Sequence, residues 1–106
     1  MALEIQLNKQ NDCEVIAALG EVDLYSSPDL RSAILKTIAK TRSGTVAVDL
    51  SQVAYMDSSG VATLVEGLQQ SQKKKKDFCL LAPAHSVMKV LELARLDSIF
   101  DVRESL

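Results

Sequence analysis

Leu3, Ile5 and Leu7 alternate with Glu4 and Gln6, the two-residue period of a half-buried strand. Lys9-Gln10-Asn11-Asp12 is polar and turn-forming, and an apolar run from Cys13 to Leu19 follows, so the pair predicts an antiparallel hairpin. Gly20-Glu21-Val22-Asp23 closes the second strand and enters a loop. Ser27 is placed to cap a helix with Pro28 at its first position and Asp29 at its positive end. Leu30, Ala33, Ile34 and Ile38 then form one apolar stripe. After Ser43-Gly44, residues 45–50 predict an apolar, β-branched strand. A short loop then leads to Asp57-Ser58-Ser59-Gly60 at the start of a second helix.

In that helix Val61, Leu64, Val65 and Leu68 recur at i, i+3, i+4 and i+7 before the pattern dissolves into glutamines and lysines from Gln69 onward. Residues 78–82 predict a short strand that Pro83 stops, and residues 86–95 a third helix with Val87, Val90, Leu91 and Ala94 on one side. Ile99, Phe100 and Val102 suggest a final edge strand. Strands alternating with helices imply an α/β fold: a mixed four- to five-stranded sheet, antiparallel in its first hairpin and parallel afterwards, covered by three or four helices. Sites in such sheets form beyond the carboxyl ends of the strands, where both Asp23 and the 57–60 turn fall.

The chain has 106 residues, enough for one domain with a core. Two Phe, two Tyr and no Trp make that core aliphatic and argue against single-strand nucleic-acid binding by stacking. A formal net charge of −2 exerts no global pull toward nucleic acid or anionic membrane. Cys13 and Cys79 lie in strand-like stretches without metal or redox spacing; buried thiols in a reducing compartment are the simplest reading, and a cross-strand disulfide stays open. No signal-peptide pattern and no membrane-length apolar run occur, so a cytoplasmic protein without membrane insertion is expected.

The 57–60 turn is the main candidate for chemistry. Asp57, Ser58 and Ser59 are all good capping residues, and capping is the commoner reason for such residues. One helix needs only one cap, however, so at least one hydroxyl has no obligatory structural task. Phosphorylation there would add about 1.5–2 negative charges. The helix N-terminus tolerates such a charge, the neighbouring Asp57 opposes it, and the altered object is the surface shown to a partner.

At this point the chain resembles a STAS domain, specifically a stand-alone bacterial anti-sigma factor antagonist (anti-anti-sigma factor). Gly20-Glu21-Val22-Asp23, the run Val48-Asp49-Leu50-Ser51-Gln52-Val53-Ala54-Tyr55-Met56-Asp57-Ser58-Ser59-Gly60-Val61 and the order of elements carry the resemblance, which spans residues 1–106 as a single domain. The resemblance implies that Ser58 is phosphorylated by an anti-sigma factor that is also a serine kinase. The unphosphorylated form then binds the anti-sigma factor and releases the sigma factor, and a serine phosphatase restores binding. It also implies a partner-binding face of Asp23, Asp57, Ser58, Ser59, Gly60, Val61, Ala62 and Glu66. The helix from Val61 to Leu68 is similar as well to STAS proteins that accompany ABC-type phospholipid transporters. Those imply the alternative partner, a transporter ATPase subunit.

Other features imply less. Lys73-Lys74-Lys75-Lys76 reads as a basic helix end and turn. His85, the single histidine, is expected at the surface or in a cap. Asp49 and Asp57 lack the acidic pair and late lysine of a phospho-accepting receiver domain. No phosphate loop, dinucleotide pattern or metal cluster is visible, so neither a cofactor nor enzymatic activity is expected.

Overall fold

A computed structural model describes residues 2–106. β1 (Glu4–Gln10) and β2 (Cys13–Val22) form the expected hairpin, joined by Asn11 and Asp12, both at positive φ. Two consecutive left-handed residues match the twist of the flanking strands, and Asn and Asp tolerate that conformation best after glycine. The chain continues as α1 (Ser27–Lys40), β3 (Thr45–Met56), α2 (Ser58–Lys73), β4 (Asp77–Leu81), α3 (His85–Leu93) and β5 (Asp101–Arg103). The sheet order is β1-β2-β3-β4-β5, antiparallel between β1 and β2 and parallel elsewhere.

Each parallel crossover advances one strand in the same direction. Right-handed crossovers of that kind set all three helices on one face. There Ile16, Val46, Val48 and Leu80 pack beneath Leu30, Ile34, Ile38, Leu64, Val87 and Leu91 in one continuous aliphatic core. The opposite face buries a smaller strip of Val15, Ala47, Cys79 and Leu81. Cys13 and Cys79 are both free thiols; Cys79 is buried, which pushes its pKa up.

Several boundaries differ from the sequence expectation. β3 does not give way to a loop after Leu50 but runs on to Met56, directly against the 57–60 turn. Its pairing with β2 shifts register between Ala17 and Leu19 and again between Gly20 and Glu21. Such bulges break the two-residue alternation on which strand reading depends. α1 starts at Ser27, with Ser26 rather than Ser27 in the capping position, and Ser27 is buried. α2 continues through the glutamines to Lys73, and α3 spans His85–Leu93, ending before the left-handed Arg95. Among the described residues no helix is long and apolar enough to cross a membrane.

Candidate functional site

The carboxyl ends of β2 and β3 hold the two candidate loops together. The Asp57 amide donates to the Val22 carbonyl at 3.1 Å, and the Leu24 amide supports the Asp57 carboxylate. Asp57 is the N-cap of α2: its Oδ1 accepts from the Ser59 amide at 2.9 Å and from the Ser59 hydroxyl at 2.5 Å. The Ser59 hydroxyl foremost, then the amides of Ser59, Gly60 and Leu24, hold the Asp57 carboxyl below the usual carboxylate range.

Three candidate caps thus resolve into different jobs. Asp57 caps, and Ser59 is spent on Asp57. Ser58, the first residue of α2, is exposed, and its hydroxyl has no hydrogen-bond partner among the described residues. It is the hydroxyl that capping leaves over.

Gly60 sets the height of this turn. A Cβ there would lie 2.6 Å from Met56 Cγ and 2.9 Å from Val22 Cγ1, both on buried side chains. Glycine therefore lets the first turn of α2 sit down on the ends of β2 and β3. Gly60 and Val61 are buried beneath the exposed start of α2. Ala62 is exposed beside Ser58.

Asp23 organises the neighbouring loop. Its Oδ1 accepts from the amides of Tyr25 and Ser26, both at 3.0 Å, and its own amide donates to Ser26 Oγ at 2.9 Å. The Ser26 hydroxyl in turn donates to the Glu21 carbonyl at 2.9 Å, so it serves the loop instead of capping α1. Gly20 supports the same loop from β2: it has a φ of +116°, and a Cβ there would collide with the Ala2 carbonyl oxygen. Glu66 is engaged by Arg31 in a two-pronged pair, Nε to Oε1 and Nη2 to Oε2, each 2.7 Å, which ties α2 to α1. The Arg31 guanidinium keeps the Glu66 carboxyl below its ordinary pKa.

The structure adds residues that the sequence reading missed. The Asp23 loop displays Leu24, 69% exposed, and Tyr25, 91% exposed, while Tyr55 on β3 is 49% exposed. The Leu24 amide reaches the Asp57 carboxylate, so the loop that carries Leu24 and Tyr25 meets the α2 start, and Tyr55 lies two residues before Asp57 at the end of β3. Large apolar groups inside a polar loop were the available signal. Arg31 could not be inferred, because its pairing with Glu66 links residues 35 positions apart. His85 opens α3 at the surface, and no group of three His, Cys, Asp or Glu residues suited to a metal ion occurs among the described residues.

Asp57 offers a direct test of the turn. Asp57→Ala is expected to lower the unfolding free energy by about 0.5–2 kcal/mol near neutral pH, as for other lost N-caps. Because the folded carboxyl titrates below its unfolded value of about 3.9, its contribution is complete above that value and is lost as pH falls through the folded pKa. Urea unfolding of wild type and variant should differ constantly from about pH 5 to 8 and converge in stronger acid. Asp57→Asn keeps the cap and should remove the pH dependence while sparing most of the stability.

An anti-sigma-B factor antagonist from Staphylococcus aureus (strain NCTC 8325 / PS 47) is 26% identical over 104 residues, covering 98% of this chain and 95% of that protein. The crystal structure of an anti-sigma factor antagonist from Mycobacterium paratuberculosis superposes with a TM-score of 0.87 at 23% identity, covering 99% of this chain and 88% of the other. The Bacillus cell-fate determinant SpoIIAA in its phosphorylated form gives a TM-score of 0.71 at 23% identity, with 93% and 90% of the two chains covered. The model of the STAS domain family matches residues 4–106, and the chain belongs to that family.

Proposed function

We propose that this protein is an anti-sigma factor antagonist that works by binding and not by catalysis. Its docking face is the start of α2 with the Asp23 loop: Ser58, Ser59 and Ala62 at the centre, Leu24, Tyr25 and Tyr55 as apolar neighbours, and Asp23, Asp57, Gly60, Val61 and Glu66 as its supports. Unphosphorylated, this face holds an anti-sigma factor and frees the sigma factor. Phosphorylation of Ser58 by that partner, acting as a serine kinase, closes the interaction, and a phosphatase reopens it.

The observation that carries this reading is the exposed, unpartnered Ser58 hydroxyl beside a capping carboxylate held in its ionised form. Adding about 1.5–2 negative charges there disturbs no internal hydrogen bond of Ser58. It places like charge against Asp57 at the centre of the face, so the fold persists while the surface changes. Desolvating a phosphate against a partner that lacks a matching cation is costly.

The test combines phosphosite mapping of the native protein with capture from its own cell extract. The expected phosphosite is Ser58. Wild type and Ser58→Ala should retain a protein with a histidine-kinase-like ATPase fold, and Ser58→Asp should bind it at least tenfold more weakly, about 1.4 kcal/mol. Phosphate only on Ser59, equal capture by Ser58→Asp, or retention of a transporter ATPase instead would overturn the proposal.

A further inference from the structure

The end of the sheet opposite Ser58 carries a groove between β1 and the last turns of α1. Leu7, Glu14, Lys36, Thr37, Lys40 and Thr41 line it, and it encloses about 330 Å³. That is the small end of the usual range for binding clefts, roughly 300–1,000 Å³. Leu7 pairs with Ile16 in the hairpin and so shares the helix-covered face of the sheet. Ile16 is buried, yet Leu7 is 61% exposed, because α1 packs over β2 and β3 and leaves this part of β1 uncovered.

The rim of the groove is basic. Glu14 is answered from within the molecule, by the Thr41 hydroxyl at 3.3 Å and by Lys9 Nζ at 3.8 Å. Lys36 and Lys40 have neither a hydrogen bond nor an ion pair from their ammonium groups among the described residues. The fold adds to this charge. Lys76 Nζ donates to the carbonyls of Thr41 and Ser43, at 3.1 and 3.0 Å, which draws the lysines at 73–76 beside the end of α1. With Lys9, Lys36, Lys40 and Arg42, eight of the chain's 12 basic residues gather at this end, against the three carboxylates of Asp12, Glu14 and Asp77. Compensation of helix dipoles accounts for lysines in a last turn, such as Lys40 and Lys73. It does not account for an uncovered leucine beside Lys36.

We propose that this groove is a second docking surface and that its occupant is an acidic protein segment inserting one apolar side chain over Leu7. The aliphatic stems of Lys36 and Lys40 wall the apolar floor while their ammonium groups await carboxylates on the same segment. The floor lies between a strand and a helix, where one apolar side chain can cover Leu7. No aromatic ring lines the groove to stack a nucleobase. The surface is at the amino ends of the parallel strands and the Ser58 turn at their carboxyl ends, so both can be occupied at once.

The test uses the ¹⁵N-labelled full chain and two short synthetic peptides rich in Asp and Glu, one with a central Phe and one with Ser in its place. Peptide is added to about 1 mM, so that an interaction with a Kd of that order is half saturated. The Phe peptide should shift the amides of Leu7, Thr37 and Thr41. Its affinity should fall at least tenfold in the Lys36→Glu/Lys40→Glu variant and for the Ser peptide, and fall further as salt shortens the screening length. Ser58→Asp should leave it unchanged, so failure here and failure of the Ser58 switch are separate results. All three substituted positions are exposed, and the two peptides on wild type decide the matter even if a variant misfolds. Absence of shifts at those amides, equal binding of the two peptides, or stronger perturbation of the groove by anionic phospholipid vesicles or a single-stranded oligonucleotide would overturn the proposal.

Discussion

Ile34→Ala should lower the unfolding free energy by about 2–5 kcal/mol, the largest loss expected of any substitution considered for this protein. Ile34 is fully buried at the junction of α1, α2 and β4. Its Cγ2 lies where a Cβ on Gly67 would come within 2.9 Å, and the Phe78 ring closes the same space at 2.8 Å. Truncating Ile34 therefore opens a cavity against a glycine and a ring that cannot fill it. Gly67→Ala alone faces the opposite problem: the gain of about 1 kcal/mol in helix propensity is offset by overpacking. The two substitutions are coupled, since removing Cγ2 makes room for the new methyl. The double variant should be more stable than the sum of the single losses predicts by about 0.5–3 kcal/mol, measured by urea unfolding of all four proteins. Strict additivity would show that α1 and α2 do not share this packing.

Gly60→Ala is the second large effect, and it reaches function as well as stability. The added methyl meets Met56 and Val22, two buried side chains at the ends of β3 and β2, so the first turn of α2 must lift. A cost of about 1–3 kcal/mol follows from such overpacking, reduced by the helix preference for alanine. Lifting that turn also moves Asp57 away from the Val22 carbonyl and re-aims Ser58. Partner binding should fall in Gly60→Ala although no exposed side chain has changed. Isothermal titration with the captured partner, beside thermal unfolding, checks both parts. Full affinity at reduced stability would separate the height of the turn from recognition.

Much of this protein is legible in its sequence. The hairpin, the alternation of strands and helices, and the apolar stripes of α1 and α2 follow from periods that each element must display to bury one face. The capping cluster was equally readable, because Asp, Ser and Gly have strong local preferences. The extension of β3 to Met56 was not. Its bulges place Val53 and Met56 inward at irregular spacing, and only pairing with β2 reveals that the segment is a strand. The shift of the α1 cap from Ser27 to Ser26 has a similar origin: the loop hydrogen bonds of Asp23 decide where the helix begins.

Local chemistry in the sequence determined that a helix starts at Asp57 with more hydroxyls than one cap can use, and that the sheet is mixed. Which hydroxyl is spare was a tertiary decision. The Ser59 side chain turns back to Asp57 while Ser58 points to solvent, because the turn is seated by Gly60 on Met56 and Val22. Distance in sequence hid the rest: the Leu24 amide meets the Asp57 carboxylate, Glu66 meets Arg31 across two helices, and basic residues from three stretches of the chain converge at the far end. Periodicity and propensity act over a few residues, and they can specify elements. Charge convergence, close approach and the exposure of a single hydroxyl depend on how those elements pack.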